Sequence, residues 1–372
     1  MGIRISELIS EYGKRFKEKY FSKLSKVQKE AYYAVKRCRT SKCGEMIAIC
    51  NDCKEYEFKP HSCGNRSCPR CKSDLSSIWL KRQIEKLLPV NYFMVTFTIP
   101  FELRKLAWNH QKLFYDNLFS SSIEALKELG KEKNRLNGDL GASGILHTHS
   151  RRLDYHPHIH FIIPGGGWNR ENNFWVSSKG KYLFPYKKLS YLYKRNLING
   201  LKKSGLEIPD SVKFIEWGVN CKDVGKGKSS LKYLSRYLYR GVISEKKIRK
   251  IGNDKVQFFW TDSETKKEKS KILKGEDFLF LFFRHVLPKG YRRVRDFGFL
   301  HGNAKKVLSL IQNFLKAVIS VVIEIKKKKF RCSKCGGEMR VIAFNLKPYR
   351  RNKDPPFKRV YPKNKLLLKS KI

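Results

Sequence analysis

The chain has 372 residues, of which 80 are Lys or Arg and 33 are Asp or Glu, so its formal net charge is +47 at pH 7. Positive charge on this scale repels itself unless a polyanion neutralises it, which favours nucleic acid over a membrane surface or an acidic protein as the partner. The length allows two or three domains. No segment has the pattern of a signal peptide. The most apolar long run, 307–325, holds Gln312, Asn313, Lys316 and Glu324, so we expect a core helix there and no membrane association. We expect a cytoplasmic, DNA-associated chain of bacterial or archaeal type, in which the cysteines are reduced or bound to metal.

A cysteine-rich segment follows an N-terminal stretch, residues 1–37, whose apolar positions have helical spacing. It contains two C-x2-C pairs, Cys50 with Cys53 and Cys68 with Cys71, separated by 14 residues. Two such pairs supply four thiolates to a tetrahedral structural Zn²⁺ and leave no open position for catalysis. The other metal-binding side chains nearby are His61, Cys38, Cys43 and Cys63. They could form a second site or replace one of the four, and Cys38 and Cys63 are the further candidate ligands.

The remaining elements can be predicted in chain order from the spacing of apolar residues and from the turn residues that end each segment. We expect helices at 73–88, 103–129, 182–204 and 277–286, and strands at 91–99, 144–149, 155–164, 212–219 and 255–260. A charged loop is expected at 263–274, and a basic, proline-containing tail begins near residue 347 and is predicted to be disordered without nucleic acid.

Three histidines alternate in the strand predicted at 155–164. Successive side chains of a strand point to opposite faces, so His158 and His160 share one face, while the apolar residues between and after them enter a core. A lone histidine on a strand is usually structural, but a same-face pair on a rigid strand favours a metal site. The preceding strand should pair with this one as a hairpin, which brings His147 across from the pair; His149 and His156 compete with it for the third position.

A second set of candidate residues lies on the helix predicted at 231–240. Tyr233 and Tyr237 are four residues apart and share a face, with Arg236 and Arg240 near it. Tyrosines at this spacing usually serve packing. In a basic chain with a candidate metal site they are also candidate nucleophiles, because a positioned tyrosine hydroxyl can attack a phosphate whose charge a metal withdraws.

Several arginines are candidate DNA contacts because they lie in basic segments beside aromatic or turn residues. They are Arg66, Arg70, Arg236, Arg240, Arg292, Arg293 and Arg295. A solvated basic surface is the alternative interpretation of each.

Taken in this order, the motifs resemble the IS91-type transposases of the HUH (His-hydrophobic-His) single-strand nuclease superfamily. The resemblance extends from about Cys38 to Phe344. The matching segments are Ser62–Cys71, Leu146–Thr148, His156–His160, Pro164–Gly167, Tyr233–Tyr237, His285–Tyr291 and Cys332–Gly337. Each segment is weak evidence alone, but their shared order is specific.

The resemblance implies an α+β fold: an HUH-type, mostly antiparallel sheet flanked by helices and preceded by a small cysteine-rich zinc-binding module. It implies that His158 and His160 bind Mg²⁺ or Mn²⁺, with a third histidine on a neighbouring strand, and that Tyr233 and Tyr237 are the catalytic nucleophiles. Single-stranded DNA, including transposon ends and any hairpin they form, would be cut to a 5′-phosphotyrosine and a free 3′-OH, as in rolling-circle transposition. The expected division is 1–37 helical, 38–75 zinc module, 76–300 nuclease domain, 301–346 helix with a C-terminal C-x2-C, and 347–372 tail.

Three other functions fit parts of the same pattern. A replication initiator or relaxase would use the same chemistry, although the zinc module and Pro164–Gly167 favour a transposase. A non-catalytic, zinc-dependent DNA-binding protein derived from a transposase would not need intact histidines and tyrosines. A zinc hydrolase built on His147, His158 and His160 would not need paired tyrosines. The oligomeric state cannot be read from the sequence.

Overall fold

The computed structural model of the chain describes residues 2–71, 80–180, 183–226, 242–262, 264–317 and 330–344. These form two compact units, one made of Met1–Lys36 and Asn65–Lys326 and the other of Arg37–Gly64 and Lys327–Ile372. Helices and antiparallel sheets make up the structure, so the predicted α+β class is confirmed. No described helix has both the length and the apolar character of a membrane span.

The helices of the larger unit flank its sheets. They are α1 (Ile5–Tyr20), α2 (Lys26–Arg37, whose last residue lies beyond the unit boundary), α3 (Arg104–Asn109), α4 (Gln111–Lys131), α5 (Tyr186–Lys203), α6 (Gly275–Phe283) and α7 (Lys305–Phe314). The helical segment predicted at residues 1–37 therefore forms two helices, α1 and α2. Phe16 of α1 stacks on Tyr32 of α2 at 5.3 Å between ring centroids and contacts Phe283 of α6 at 6.0 Å.

The strands, in chain order, form four sheets. They are β1 (Glu45–Cys50), β2 (Tyr56–Pro60), β3 (Asn91–Thr98), β4 (Gly141–His149), β5 (Tyr155–Pro164), β6 (Gly166–Asn169), β7 (Phe174–Ser177), β8 (Val219–Lys226), β9 (Ile248–Ile251), β10 (Lys255–Thr261), β11 (Glu268–Lys274), β12 (Val294–Gly298), β13 (Phe330–Arg331) and β14 (Glu338–Phe344). The central sheet has the order β12-β4-β5-β3-β8 and is antiparallel throughout.

One face of the central sheet is the main core. Alternate residues of β3 and β5, such as Phe93, Phe97 and Phe161, are completely buried there, and residues of α4 and α5 belong to the same apolar cluster. The predicted alternation in β5 is thus correct, because Ile159, Phe161 and Ile163 all belong to this cluster. It follows that the intervening residues, including His158 and His160, point to the opposite face.

The helix predicted at 103–129 is divided at His110 into α3 and α4, and two further predicted segments differ more from the structure. The strand expected at 212–219 is replaced by a short 3₁₀ turn at Asp210–Lys213, and β8 begins only at Val219. The indole N–H of Trp217 donates to the carbonyl of Val212, which closes this segment on itself. The loop expected at 263–274 contains β11, a strand that pairs with β10 and whose charged side chains face solvent.

The smaller unit takes its sheet from both ends of the chain. Its strand order is β13-β14-β1-β2, so β14 pairs directly with β1. The predicted continuous zinc module at 38–75 and the separate segment at 301–346 therefore differ from this division. The reason is that a long-range antiparallel pairing joins the C-terminal C-x2-C to the first one, and residue spacing alone does not indicate such a pairing.

Candidate metal centres

The smaller unit brings together four cysteines at the tips of two turns. Cys50 and Cys53 end β1, while Cys332 and Cys335 lie between β13 and β14, and their sulfur atoms all lie within 4.8 Å of one another. Cys50 Sγ is 3.5 Å from Cys335 Sγ, and Cys53 Sγ is 3.6 Å from Cys332 Sγ. Four thiolates in this arrangement fit a closed, tetrahedral zinc site.

Local backbone geometry supports a metal-binding role for this turn. The backbone N–H of Gly337 donates to Cys335 Sγ and lowers the pKa of that thiol to about 7, which favours the thiolate form that binds zinc. A Cβ atom on Gly337 would lie 2.1 Å from Oδ2 of Asp52 and 3.1 Å from Sγ of Cys50, so a larger residue here would displace the Asp52 side chain and crowd the cysteine cluster. The sequence analysis expected Cys50 and Cys53 to share a zinc ion with Cys68 and Cys71. In the structure they cluster with Cys332 and Cys335 instead.

Cys68 and Cys71 lie in a tight turn of the larger unit. The backbone N–H of Cys68 donates to the carbonyl of Asn65 and that of Cys71 to the carbonyl of Cys68. This is the compact geometry of a C-x2-C zinc turn.

The second candidate centre is formed by histidines of the predicted hairpin. β4 pairs with β5 so that His147 lies directly opposite His158, which confirms the hairpin. One ring nitrogen from each of His147, His158 and His160 lies within 4.8 Å of the others, and the ring centroids are 4.9–5.3 Å apart. The structure thus brings together the three histidines preferred from the sequence.

Hydrogen bonds orient two of these rings. His158 Nδ1 is 2.7 Å from the carbonyl oxygen of His156, and because a carbonyl can only accept, Nδ1 carries the proton and Nε2 has the lone pair. His160 Nδ1 is 2.8 Å from Thr96 Oγ1 on the adjacent strand. Thr96 was not singled out from the sequence, although its place in the alternation of β3 puts it opposite His160.

The site favours neutral imidazoles, the form that binds metal. Burial lowers the pKa of His158 to about 4 and that of His160 to about 3, and burial also holds the pKa of His147 well below its usual range. The positive charge of Arg293 adds to the effect on all three histidines, so this arginine lies close to the centre. Arg293 Nε donates to the carbonyl of Leu146, which fixes the side chain beside the hairpin.

His149 and His156, the two alternatives for the third position, lie beside the centre but outside the cluster. The pairing of β4 with β5 shifts register between His147 and His149, so that His149 pairs with Tyr155 and its ring lies 5.2 Å from that of His285. Residues 156–157 provide the extra residue of this β-bulge, which re-aims the side chains on either side of it. His156 Nδ1 is buried without a hydrogen-bond partner, and its ring is 5.3 Å from that of His158.

The first residue of the motif His285–Tyr291 contacts the β4–β5 hairpin. The ring of His285 lies between Thr148 Oγ1, at 3.3 Å from Nδ1, and the carbonyl of Leu153, at 3.0 Å from Nε2. Burial lowers its pKa to about 3. His285 therefore braces the β4–β5 turn and faces away from the three clustered histidines.

Two of the predicted DNA-contact arginines have structural partners instead. The guanidinium of Arg66 donates to the carbonyls of Leu287, Pro288 and Tyr291. Arg295 binds Asp116, and its guanidinium carbon lies 4.5 Å from the ring centroid of Phe119. Arg66 holds the segment before β12 in place, and Arg295 joins β12 to α4, so we do not propose them as DNA contacts.

Replacing Arg66 is therefore expected to change stability. Arg66→Gln should lower the free energy of unfolding by about 0.5–1.5 kcal/mol, because three backbone carbonyls lose a charged donor at a largely exposed position. Arg70→Gln, four residues away, provides the control and should leave it nearly unchanged. Thermal unfolding of both variants checks this, and equal midpoints would contradict the structural role.

The remaining candidate residues divide between exposed positions and undescribed ones. Arg292 is exposed, and Arg70 is half-buried. Tyr233, Tyr237, Arg236 and Arg240 lie outside the described residues, in the segment 227–241 that follows β8.

Comparison with known proteins finds two family models and two transposases that are similar to this chain. Residues 141–307, which contain all three histidines, match a family model described as "Putative transposase", and residues 8–99 match a "Transposase zinc-binding domain". The chain is 29% identical over 333 residues to "Putative transposase y4qJ" of Sinorhizobium fredii, covering 84% of this chain and 83% of that protein. It is 26% identical over 297 residues to the transposase for insertion sequence element IS801 of Pseudomonas savastanoi pv. phaseolicola, covering 74% and 71%.

Fold, sites and similarities together define a transposase, a protein that acts on DNA. More narrowly, the chain is an IS91-type transposase with an N-terminal zinc-binding domain. The cysteine cluster and the zinc-binding family model support a structural zinc ion.

Proposed function

We propose that this transposase nicks and joins single-stranded DNA by tyrosine transesterification through a 5′-phosphotyrosine, as in rolling-circle transposition. The observation that carries the proposal is the convergence of His147, His158 and His160 on one face of an antiparallel sheet, opposite the main core. Tyr233 and Tyr237 are the proposed nucleophiles. They lie in the chain between β8, at the edge of this sheet, and residue 242, where the described structure resumes.

The three imidazoles fit a divalent ion. His158 offers Nε2 because its other nitrogen donates to a carbonyl, and all three rings are held neutral by burial. When bound, Mg²⁺ or Mn²⁺ would withdraw charge from a phosphate oxygen and orient the phosphate. Nitrogen ligands favour Mn²⁺ over Mg²⁺, so we expect Mn²⁺ to support activity at lower concentration.

The proposed reaction exchanges one phosphodiester for another. The hydroxyl oxygen of Tyr233 or Tyr237 forms a bond to phosphorus while the bond from phosphorus to the 3′ oxygen breaks. The tyrosine loses its proton and the departing 3′ oxygen gains one, so atoms and charge balance without ATP. A 3′-OH from another strand can later reverse the step, which joins DNA, and the second tyrosine allows a second cut.

Other residues would bind the DNA strand rather than react with it. Arg293 lies close enough to the histidines to lower their pKa values, so it is a proposed contact to the reacting phosphate. Arg70, Arg236, Arg240 and Arg292 remain proposed DNA contacts. Cys38, Cys63, Cys68 and Cys71 remain candidate ligands of structural zinc. Transposon ends, including hairpin forms, are the proposed substrate, and the cytoplasm is the proposed location.

A covalent adduct assay tests the proposal. The purified protein is incubated with single-stranded oligonucleotides from the ends of its element and Mn²⁺ or Mg²⁺, and adducts are separated on denaturing gels. We expect an adduct that survives in Tyr233→Phe and in Tyr237→Phe and is lost in the double variant and in His158→Ala. Cleavage without any adduct would indicate a hydrolase, and tight binding without cleavage would indicate a DNA-binding protein that lacks the reaction.

A further inference from the structure

Two phenylalanines on adjacent turns project into solvent. Phe101 is 74% exposed and Phe214 is 86% exposed, the highest values among the large apolar side chains in the described ranges. Phe101 begins a short 3₁₀ turn, Phe101–Leu103, and Phe214 follows another, Asp210–Lys213. The two turns contact each other. Exposed aromatic rings on two neighbouring turns offer faces on which flat, apolar groups can stack.

This surface lies at the histidine end of the central sheet. Thr98, the last residue of β3, pairs with His158 of β5, and the Phe101 turn follows Thr98 after only two residues. The next element, α3, contacts β5 directly. The aromatic surface is therefore beside the candidate metal centre, next to the first residues of β5.

Unsatisfied polar atoms lie in the same place. The guanidinium carbon of Arg104 is 5.1 Å from the ring centroid of Phe101, and Arg104 Nε is buried without a hydrogen-bond partner in the described part of the chain. His156 Nδ1, next to His158, is also buried without one. Buried polar nitrogens without partners are uncommon in proteins, and an acceptor group of a bound ligand would satisfy an arginine donor.

We propose that Phe101, Phe214 and Arg104 form a subsite for single-stranded DNA immediately beside the reacting phosphate. Arg104 binds a phosphate of the strand, and the two rings stack on a base. This proposal rests on the proposed function for the position of the cut. A single strand is favoured over a duplex because its bases can expose their faces, and the chain's net charge of +47 favours a polyanion over a protein as the occupant.

Equilibrium binding without added divalent metal tests the subsite separately from the chemistry. Fluorescence anisotropy measures the Kd of a labelled single strand from the element's ends and of the matching duplex. Phe101→Ala and Phe214→Ala are each expected to weaken single-strand binding by about 5- to 150-fold, the range for loss of one base stack. Duplex binding should change little, and Phe101→Tyr should retain single-strand binding.

Phe314→Ala is the matched control. Phe314 is 51% exposed at the end of α7, and its ring lies 5.7 Å from that of Trp168, which belongs to a different apolar cluster from the turns of Phe101 and Phe214. This variant should bind both DNA forms as the unaltered protein does. Losses of equal size for Phe314→Ala, or equal losses for single strand and duplex in the Phe101 and Phe214 variants, would overturn the proposal.

An abasic scan locates the stacked base. Removal of one base at a time from the strand should weaken binding strongly at one or two positions in the unaltered protein and have no effect at those positions in Phe101→Ala. Additive losses at every position would show that the ring and the base do not interact and would overturn the stacking.

The role of Arg104 has its own readout. Arg104→Gln should reduce the slope of log Kd against log salt concentration by about 0.7, the value for one phosphate contact on a single strand. Arg104→Lys should preserve the slope. An unchanged salt dependence in Arg104→Gln would overturn the phosphate contact. Because none of these measurements requires cleavage, absence of the tyrosine adduct would refute the proposed function without altering the binding results.

Discussion

Nicking of single-stranded DNA is expected to fall at least about 100-fold when His147 is replaced by Ala, because the charge that develops on the reacting phosphate would lose its stabilisation. His147 lies opposite His158 across the hairpin and within the three-histidine cluster. His149→Ala is the matched control, since the β-bulge turns that ring towards His285. Initial cleavage rates of the two variants are the measurement.

Metal binding gives the same prediction an independent readout. Mn²⁺ added to the unaltered protein should become bound and lose its free-ion electron paramagnetic resonance signal, and His147→Ala should weaken this binding while His149→Ala should not. The reverse order, with His149→Ala more severe in both measurements, would contradict the assignment of the third histidine.

Replacing Cys332 by Ser is expected to release one zinc ion per chain and to unfold the smaller unit. The described part of this unit has a core cluster of only four buried residues, Ala48, Cys50, Cys332 and Met339. Structural zinc contributes on the order of 10 kcal/mol to such small modules, far more than this cluster could replace. Zinc content by elemental analysis and protease resistance of Arg37–Gly64 are the measurements.

Cys43→Ser provides the control for the zinc prediction. Cys43 belongs to the same unit, but it lies outside the four-cysteine cluster, and its thiol donates to the carbonyl of Arg37. Zinc content should remain that of the unaltered protein. Full zinc retention in Cys332→Ser would favour the ligand set first expected from the sequence, in which Cys50 and Cys53 share an ion with Cys68 and Cys71.

The histidine site could be predicted from the sequence because its geometry is local. Alternation along one strand puts His158 and His160 on the same face, and a five-residue connection makes a hairpin with His147 the simplest topology. Choosing between His147 and His149 required the register shift between them. A bulge depends on how both strands pair, so neither strand's sequence alone predicts it.

The zinc ligands and the roles of individual arginines could not be predicted in the same way. Cys50 and Cys332 are brought together by the pairing of β1 with β14, a contact between distant parts of the chain. Arg66 and Arg295 look like DNA contacts in the sequence, but backbone carbonyls and a carboxylate at long sequence separation occupy their guanidinium groups. Charge composition predicts the class of partner, whereas tertiary contacts decide which charges remain for it.

Mass spectrometry of the covalent product is the most direct test of tyrosine transesterification. The adduct formed with single-stranded DNA and Mn²⁺ is digested with a protease and a nuclease, and the modified peptide is sequenced. We expect a nucleotide joined through its 5′ phosphate to Tyr233 or Tyr237, with a free 3′-OH on the other DNA fragment. Attachment at any other residue, or cleaved DNA that carries a free 5′ phosphate and no peptide, would contradict the mechanism.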